Sequence, residues 1–423
     1  MEFKEENKFH KVMTRIVIGI MIAFLISIIV CAIAIRFGAR ELFTMDHDIE
    51  TEVYELSDED NFIVSAFKKY NNTIYGGQGY IDAYSNDLLL GRTFMVESAA
   101  RYKKGIGWKL YAPSEYNSIL YLDDGHLASA NTKEKIEDIQ KIATKINSLK
   151  NVVNEAGSDF VYIQTIGNID KFADKKINNV KDFANYNADI LLKDLRGYKI
   201  DCFDLRDAAH EEIDNFHELF YKTDHHWKVQ SALWGTKKIA NYLNNNYALD
   251  IDESIFDENN FSSEVKKDYY LGSLGKKATL ALTNPDDFTM LRPKFETNFT
   301  FTNSNGINKT GSFDVSFDEN LIDNPKIYKR ECYLGLLSFE ASGLSCIVNN
   351  NATNDKHIII VGDSMMIPVV SFLALDCKKV EFIDPRYFKE SVKEYVKKAK
   401  ANIVIATYST TIIQDFYPCF DFD

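Results

Sequence analysis

The sequence predicts an α/β fold in which a parallel sheet is flanked by helices and interrupted by a β-rich insertion. Continuous apolar runs such as 357–361 are typical of strands buried on both faces of a parallel sheet. Amphipathic stretches with a helical period alternate with such runs in residues 131–243 and again in 357–406. Residues 253–350, between these two parts, are rich in Phe, Thr, Tyr, Asn and Asp without a helical period.

The first part of the domain, 76–252, contains a helix that is predicted to begin at Asn131 and to end at Gly157. Asn131 and Glu134 resemble a capping box, and Gly157 resembles a helix stop. Apolar residues between them recur at three- and four-residue steps, which indicates one buried face. The elements predicted after it are the strand 160–164, the helix 180–194, the strand 200–205 and the helix 229–243.

The second part, 351–423, repeats the alternation of strands and helices. Its predicted elements are the strand 357–361, the helix 366–375, the strand 380–383, the helix 389–399 and the strand 402–406. Ligands of such sheets bind beyond the carboxyl ends of the strands. We expect the insertion 253–350 to cover that edge.

Residues 16–36 are predicted to form a single transmembrane helix, because their almost unbroken apolar run would span a hydrocarbon core of about 30 Å. A secretory signal peptide is the alternative, but its apolar region is normally only about 7–15 residues long. Four basic residues precede the run and two follow it, so the positive-inside rule places 1–15 in the cytoplasm. Residues 37–75 then form a stalk, and the remaining domain lies outside the cell.

Composition excludes some classes of function. The formal net charge of −13 over 423 residues argues against nucleic acid as a partner. The six cysteines lack a C-x-x-C spacing, so we expect free buried thiols, with a bridge between Cys332 and Cys346 as the alternative. No cofactor and no metal site are expected.

Ser364 is the candidate nucleophile. It follows the strand 357–361 through Gly362 and Asp363, and a tight turn from strand to helix would expose its hydroxyl. Backbone N–H groups at the start of the next helix would face a developing oxyanion, with Gly362 and Asp363 beside it. The alternative is an ordinary N-cap serine without a chemical role.

The stretch Thr223-Asp224-His225-His226-Trp227 supplies the other reactive side chains. Asp224 and His226 are two residues apart, so both can face the same way in an extended segment. His226 would then act as general base and Asp224 would orient it, while His225 points elsewhere and Trp227 walls the pocket. The alternatives are a metal site made of Asp224 and both histidines, and a polar loop in which Asp224 only caps a helix.

This stretch, with Tyr221 and Lys222 before it, resembles the signature of the DHHW family, which is similar to the alginate O-acetylation proteins of the SGNH-hydrolase-like superfamily. The resemblance covers roughly 107–243 and 357–406. It implies an SGNH-like, flavodoxin-like sheet and a triad of Ser364, His226 and Asp224 that acts on acyl esters of a surface polysaccharide. No G-x-N-D block follows Ser364, so Gln164, at the end of its strand, and Tyr408, just past the strand 402–406, are the candidates for a side-chain oxyanion donor.

Three functions remain open at the level of sequence. The first is an extracellular, membrane-anchored O-acetyltransferase or acetylesterase, whose partners are an acyl donor, a polysaccharide acceptor and a membrane-bound acyl-transfer or export protein. The second is a non-catalytic polysaccharide-binding or assembly protein with the same fold. The third is a metal-dependent phosphoesterase.

Overall fold

A computed structural model describes residues 119–423, apart from 123, 173–175, 178–179, 340–341 and 415–418, together with 97–98, 101–102 and 105. The predicted cytoplasmic segment, transmembrane helix and stalk lie outside these residues. Within the part of the chain that is described, no helix has the length and apolarity needed to cross a bilayer.

The described strands are numbered in chain order. They are β1 (Ile119–Tyr121), β2 (Leu127–Ser129), β3 (Asp159–Gln164), β4 (Lys176–Ile177), β5 (Val180–Lys181), β6 (Cys202–Asp204), β7 (Phe261–Tyr270), β8 (Asp286–Pro293), β9 (Phe299–Asn303), β10 (Asn308–Gly311), β11 (Leu344–Asn349), β12 (His357–Gly362), β13 (Lys379–Ile383) and β14 (Ile403–Tyr408).

The described helices are numbered in the same way. They are α1 (Ile136–Glu155), α2 (Ala184–Gly197), α3 (Leu205–Glu212), α4 (Val229–Tyr247), α5 (Ser273–Ala278), α6 (Glu319–Ile322), α7 (Cys332–Gly335), α8 (Ile367–Leu373) and α9 (Val392–Ala399). Short 3₁₀ segments include Phe216–Leu219 and Ser364–Met366.

The central sheet has eight strands in the order β10-β9-β11-β13-β12-β14-β3-β6. The five strands from β13 to β6 run parallel, as the sequence predicts. The strands β11, β9 and β10 extend the sheet in antiparallel pairing, so the predicted parallel sheet is the larger part of a mixed sheet. These three strands come from the predicted insertion 253–350, which therefore forms part of the sheet as well as the separate hairpin β7–β8.

Helices cover both faces of the sheet because successive residues of each buried strand point to opposite sides. In β12, Ile358 and Ile360 pack in one core cluster with α4 and α8. Ile359 and Val361 pack in a second cluster with α1, α2 and α9. Burial on both faces explains the unbroken apolar run of this strand.

The starts of α1 and α2 differ most from the predictions. Helix α1 begins at Ile136 with Lys135 at the N-cap, and Asn131 instead donates its side-chain amide to the carbonyl oxygen of Thr411 at 3.0 Å. Helix α2 begins at Ala184, because Val180–Lys181 pairs with Lys176–Ile177 in a small hairpin.

The end of α1 and the thiols of Cys332 and Cys346 follow expectation. Gly157 has a φ of +83°, a left-handed conformation that favours glycine just after a helix. Cys332 and Cys346 are free thiols, and burial raises the pKa of each to about 12. A bridge between these two cysteines is therefore not formed.

Candidate active site

Ser364 lies at the carboxyl edge of the sheet, directly after β12. Gly362 ends the strand beside Thr407 of β14, and a Cβ atom at Gly362 would collide with the Thr407 carbonyl oxygen. Only glycine allows this close approach of the two strands. Ser364 then opens a 3₁₀ turn that leads into α8, with its side chain at partial exposure.

Asp363 fixes the turn that presents Ser364. One carboxylate oxygen accepts a hydrogen bond from the backbone N–H of Met365 at 3.0 Å, and the other accepts from the N–H of Ser409 at 2.7 Å. Asp363 is 3% exposed. It therefore caps the turn and ties it to the end of β14, and a carboxylate that only accepts hydrogen bonds is not an oxyanion donor.

The loop that carries Asp224 and His226 is held by residues of the predicted insertion. Thr223 donates its backbone N–H and its hydroxyl to Asp286, at 2.8 and 2.6 Å. The backbone N–H of Gly272 donates to the Thr223 hydroxyl at 2.8 Å, and that of Gly275 to the Thr223 carbonyl at 2.7 Å. These bonds fix the loop immediately before Asp224.

The two predicted stretches meet through His226. Its Nε2 lies 2.8 Å from Ser364 Oγ, and its Nδ1 lies 2.8 Å from Asp224 Oδ1. A carboxylate can only accept, so Nδ1 carries the proton and Nε2 presents a lone pair to the serine hydroxyl. His226 is 5% exposed and Asp224 is 1% exposed, so water hardly competes for these bonds.

The second oxygen of Asp224 is held from the insertion. Asp224 Oδ2 accepts from the Tyr270 hydroxyl at 2.6 Å and from the backbone N–H of Ser273 at 2.9 Å. Burial alone would raise the pKa of Asp224. The neighbouring imidazoles and their hydrogen bonds outweigh burial and hold that pKa well below its usual range, so Asp224 stays ionised.

His226 is arranged to remain neutral. Burial, followed by the proximity of His225, lowers the pKa of His226 below its ordinary value, against the opposing attraction of Asp224. A neutral imidazole is the form that can accept a proton from a serine hydroxyl. The geometry and the protonation state of His226 therefore agree.

His225 makes its polar contacts with Ser273 and Asp224. Its Nδ1 lies 2.9 Å from the Ser273 hydroxyl and 3.1 Å from Asp224 Oδ1, and its side chain is 38% exposed. Burial would lower the pKa of His225, but the attraction of Asp224 raises it above the ordinary value. The pKa values of these two adjacent histidines are therefore shifted in opposite directions.

Trp227 lies beneath the nucleophile turn instead of walling an open pocket, because its side chain is fully buried. Its indole N–H is shared between the Tyr333 hydroxyl at 2.9 Å and the Met365 carbonyl at 2.8 Å. Tyr333 donates its own hydroxyl to the same carbonyl at 2.9 Å and stacks on the His226 ring at 4.1 Å between centroids. Trp227 and Tyr333 therefore set the relative position of the turn and the base.

Comparison with known proteins supports the resemblance of this chain to SGNH hydrolase-like domains. Residues 120–294 match the family model described as the SGNH hydrolase-like domain of the acetyltransferase AlgX. The resemblance to the alginate O-acetylation proteins is confirmed. A search of curated proteins finds no match.

Solved structures share the fold of this chain. Two structures of Bacillus cereus PatB1, one of them with a sulfonyl adduct, are 20% identical and cover 72% of this chain. They align over 98% and 99% of their own chains, with TM-scores of 0.59 and 0.60. A DHHW family protein from Eubacterium siraeum is 14% identical over 71% of this chain and 93% of its own, with a TM-score of 0.53.

Gln164 and Tyr408 do not serve as oxyanion donors in this SGNH-like site. Gln164 is fully buried, and its amide N–H groups donate to the carbonyls of Thr165 at 3.1 Å and Tyr408 at 2.8 Å. The Tyr408 hydroxyl donates to the Cys419 carbonyl at 2.8 Å. Both side chains end in structural hydrogen bonds, because their strands place them inside the packed edge of the sheet.

Three residues of the site escape prediction from sequence: Tyr270, Ser273 and Tyr333. All three belong to the insertion, and their contacts with Asp224, His225 and His226 span long separations along the chain. The only local signal is the Gly272-Ser273 pair at the end of β7. A Cβ atom at Gly272 would overlap Asp224 and approach the Thr223 carbonyl to 2.6 Å.

Proposed function

We propose that this protein is an O-acetyltransferase or acetylesterase that acts on a cell-surface or exported polysaccharide through Ser364, His226 and Asp224. One observation carries the proposal: His226 bridges Asp224 and Ser364 with two hydrogen bonds of 2.8 Å. The match to an acetyltransferase-type SGNH hydrolase-like domain supports the same class of chemistry.

In this mechanism His226 Nε2 removes the proton from Ser364 Oγ as the oxygen attacks the carbonyl carbon of an acetyl ester. The tetrahedral intermediate collapses, the donor oxygen leaves with the proton from His226, and an acetyl-serine remains. A sugar hydroxyl or water, deprotonated by His226, then attacks the acetyl-serine. The bond between the acetyl carbon and Ser364 Oγ breaks, Oγ takes the proton back from His226, and the acetylated sugar or acetate leaves. Asp224 stays ionised throughout and stabilises the imidazolium.

The oxyanion would be stabilised by a backbone N–H group of the turn that carries Ser364. The first N–H groups of a helical turn have no acceptor within it. Those of Met365 and Met366 already donate to Asp363, at 3.0 and 3.2 Å. The N–H of Ser364 itself is therefore the donor that we propose for the oxyanion.

The proposed site of action is outside the cell. The apolar run at 16–36 would anchor the chain in the cell membrane with the catalytic domain outside, where acyl groups are added to exported polymers. The strongly acidic chain suits a neutral polysaccharide better than a polyanion, because most of its surface repels negative charge. A membrane-bound protein that delivers acyl groups is the expected partner.

The test uses turnover of 4-nitrophenyl acetate and acetyl transfer to a neutral oligosaccharide by the full-length chain. Ser364→Ala and His226→Ala should each lower turnover by on the order of 10³-fold or more. His225→Ala, the matched control in the same loop, should cost no more than about 10-fold. Equal and mild losses for both histidines contradict the assignment.

A sulfonyl fluoride gives a second readout. One PatB1 structure carries a sulfonyl adduct. In this chain an adduct should form on Ser364, be identified by mass spectrometry of its peptide, and be absent from Ser364→Ala. A folded protein that neither reacts with the probe nor turns over esters would favour the non-catalytic polysaccharide-binding function.

The metal-dependent phosphoesterase has one observation in its favour. Ligand atoms of Asp224, His225 and His226 lie within 4.8 Å of one another. The ring nitrogens of His226 already contact Ser364 and Asp224, and His225 Nδ1 contacts Ser273. A metal would have to displace these bonds, so the proton relay is the better-supported function. A metal ion that binds wild type and is lost from His225→Ala would reverse this preference.

A further inference from the structure

A second group of histidines lies outside the site described above. The turn between β1 and β2 carries Asp124 and His126, and the 3₁₀ segment Phe216–Leu219 carries His217. Asp124 Oδ2 contacts His217 Nδ1 directly and lies 3.1 Å from His126 Nδ1. The three ligand atoms all lie within 4.8 Å of one another.

His126 distinguishes this group from an ordinary hydrogen-bonded cluster. Its side chain is nine-tenths buried, and neither ring nitrogen makes a hydrogen bond to another described residue. The contact of Nδ1 with Asp124 Oδ2 lacks the alignment that a hydrogen bond requires. A buried imidazole without a hydrogen bond costs free energy unless something else satisfies it.

The conformation of the turn brings the side chains of Asp124 and His126 close to His217. Gly125 has a φ of +87°, which favours glycine, and the turn is closed by bonds between Leu122 and the residues Gly125 and His126. The backbone N–H of His126 donates to Asp124 Oδ1 at 3.0 Å. This bond occupies one carboxylate oxygen and leaves Oδ2 facing both imidazoles.

We propose that Asp124, His126 and His217 bind a divalent transition-metal ion of the zinc class. Two imidazole nitrogens and one carboxylate oxygen suit Zn²⁺ and its neighbours better than Mg²⁺ or Ca²⁺, which prefer oxygen ligands. Zinc ligands lie about 2.0–2.2 Å from the ion, so tetrahedral ligand atoms are about 3.3 Å apart. Small side-chain movements reach that spacing from the present geometry.

The ion would have a structural role, since it joins two segments that support the loop of Asp224. The backbone N–H of Leu127 already donates to the Lys222 carbonyl at 2.8 Å, and a metal at His217 would add a second tie to the same segment. Asp124 and His217 are 41% and 30% exposed, so water can complete the coordination and the ion can enter from solvent. This inference does not depend on the proposed acyl transfer.

The experiment is titration of the metal-free, full-length chain, without a histidine tag, with Zn²⁺ alone in a calorimeter. One equivalent should bind, and Zn²⁺ should raise the melting temperature of the protein. His217→Gln should weaken binding by more than the about 10–100-fold expected for loss of an outer-shell partner. His126→Asn should do the same if it folds.

Two control variants locate the ion. His210→Gln, at an exposed histidine of α3, should leave Zn²⁺ binding unchanged. His225→Gln should also leave it unchanged, because the metal lies outside the loop of Asp224. Absence of saturable binding, equal binding by wild type and His217→Gln, or loss of binding in His225→Gln would each overturn the proposal.

Discussion

His226 Nε2 lies 2.8 Å from Ser364 Oγ although 138 positions separate the two residues in the chain. The contact joins the loop before α4 to the turn after β12, so both parts of the α/β domain contribute to one site. The insertion completes it, since Tyr270 and Ser273 hold the far oxygen of Asp224.

Removal of the Tyr270 hydroxyl should weaken the orientation of Asp224. Tyr270→Phe loses a 2.6 Å hydrogen bond to an ionised carboxylate, which is worth about 1.5–3 kcal/mol in a buried site. We expect kcat for ester turnover to fall by about 10-fold with little change in KM. The control is Tyr269→Phe, whose hydroxyl contacts Asp323. Equal kinetics of the two variants would contradict this role of Tyr270.

The pH dependence of turnover should reflect the shifted pKa values of His225 and His226. The pKa of His226 lies below its ordinary value, so kcat/KM should persist below pH 6.5 and fall as the pH drops through that lowered pKa. The pKa of His225 is raised, so His225 is charged when His226 titrates. Its positive charge opposes protonation of His226.

His225→Gln removes that charge and should raise the pKa of His226. The acid limb of the kcat/KM profile then moves to higher pH, while activity at pH 8 changes little. His210→Gln, a histidine away from the site, should leave the limb in place. An acid limb that stays or moves to lower pH in His225→Gln would show that the charge of His225 does not reach His226.

The space at Gly272 should be required for activity. A methyl group there would overlap the Asp224 side chain, although the backbone conformation of Gly272 suits any residue, with φ at −69°. Gly272→Ala should therefore displace Asp224 and reduce kcat by about 10²-fold. Gly197→Ala is the control, because nothing lies within 4 Å of the added atom and alanine favours helices. Normal turnover by Gly272→Ala would count against the close packing of this loop.

Glu381 should stabilise the fold in a pH-dependent manner. Burial would raise its pKa, but hydrogen bonds from His357, Tyr395 and Lys379 lower it from 4.5 to about 2. The folded pKa is below the unfolded value, so the stabilisation is present above pH 4.5 and is lost as the pH falls toward 2. Its magnitude is at most about 3 kcal/mol.

Glu381→Gln should be less stable than wild type at pH 7 by up to that amount, measured by denaturant unfolding. The difference should shrink as the pH falls from 4.5 toward 2. Glu137→Gln, at an exposed position of α1, should match wild type throughout. A constant difference across the pH range would mean that the charge of Glu381 is not the stabilising feature.

The parallel part of the sheet could be predicted because its signal is local. An unbroken apolar run such as that of β12 marks a strand buried on both faces, and glycine followed by Asp363 and Ser364 marks the turn after it. The Asp224–His226 spacing likewise indicates which histidine shares a side with the carboxylate. These inferences need only the period of a strand and the chemistry of neighbouring side chains.

The remainder depends on contacts between distant segments. Strands β9, β10 and β11 carry polar residues, and nothing in their sequence indicates that they join the central sheet. Gln164 lies at its strand end as expected, and Tyr408 ends β14, but their hydrogen bonds to carbonyl groups appear only in the folded protein. The contact of Tyr270 with Asp224 likewise arises from the packing of the insertion.

The hydrogen bonds between the insertion and Asp224 should also slow the formation of the site during folding. The helices can form early, but the site requires contacts between residues far apart in the chain. Asp224 and Tyr270 are 46 residues apart, and His226 and Ser364 are 138 residues apart. Closure of such long loops is slow, since their entropy is lost before the contacts form. During refolding, recovery of ester turnover should therefore lag behind recovery of the helical circular dichroism signal.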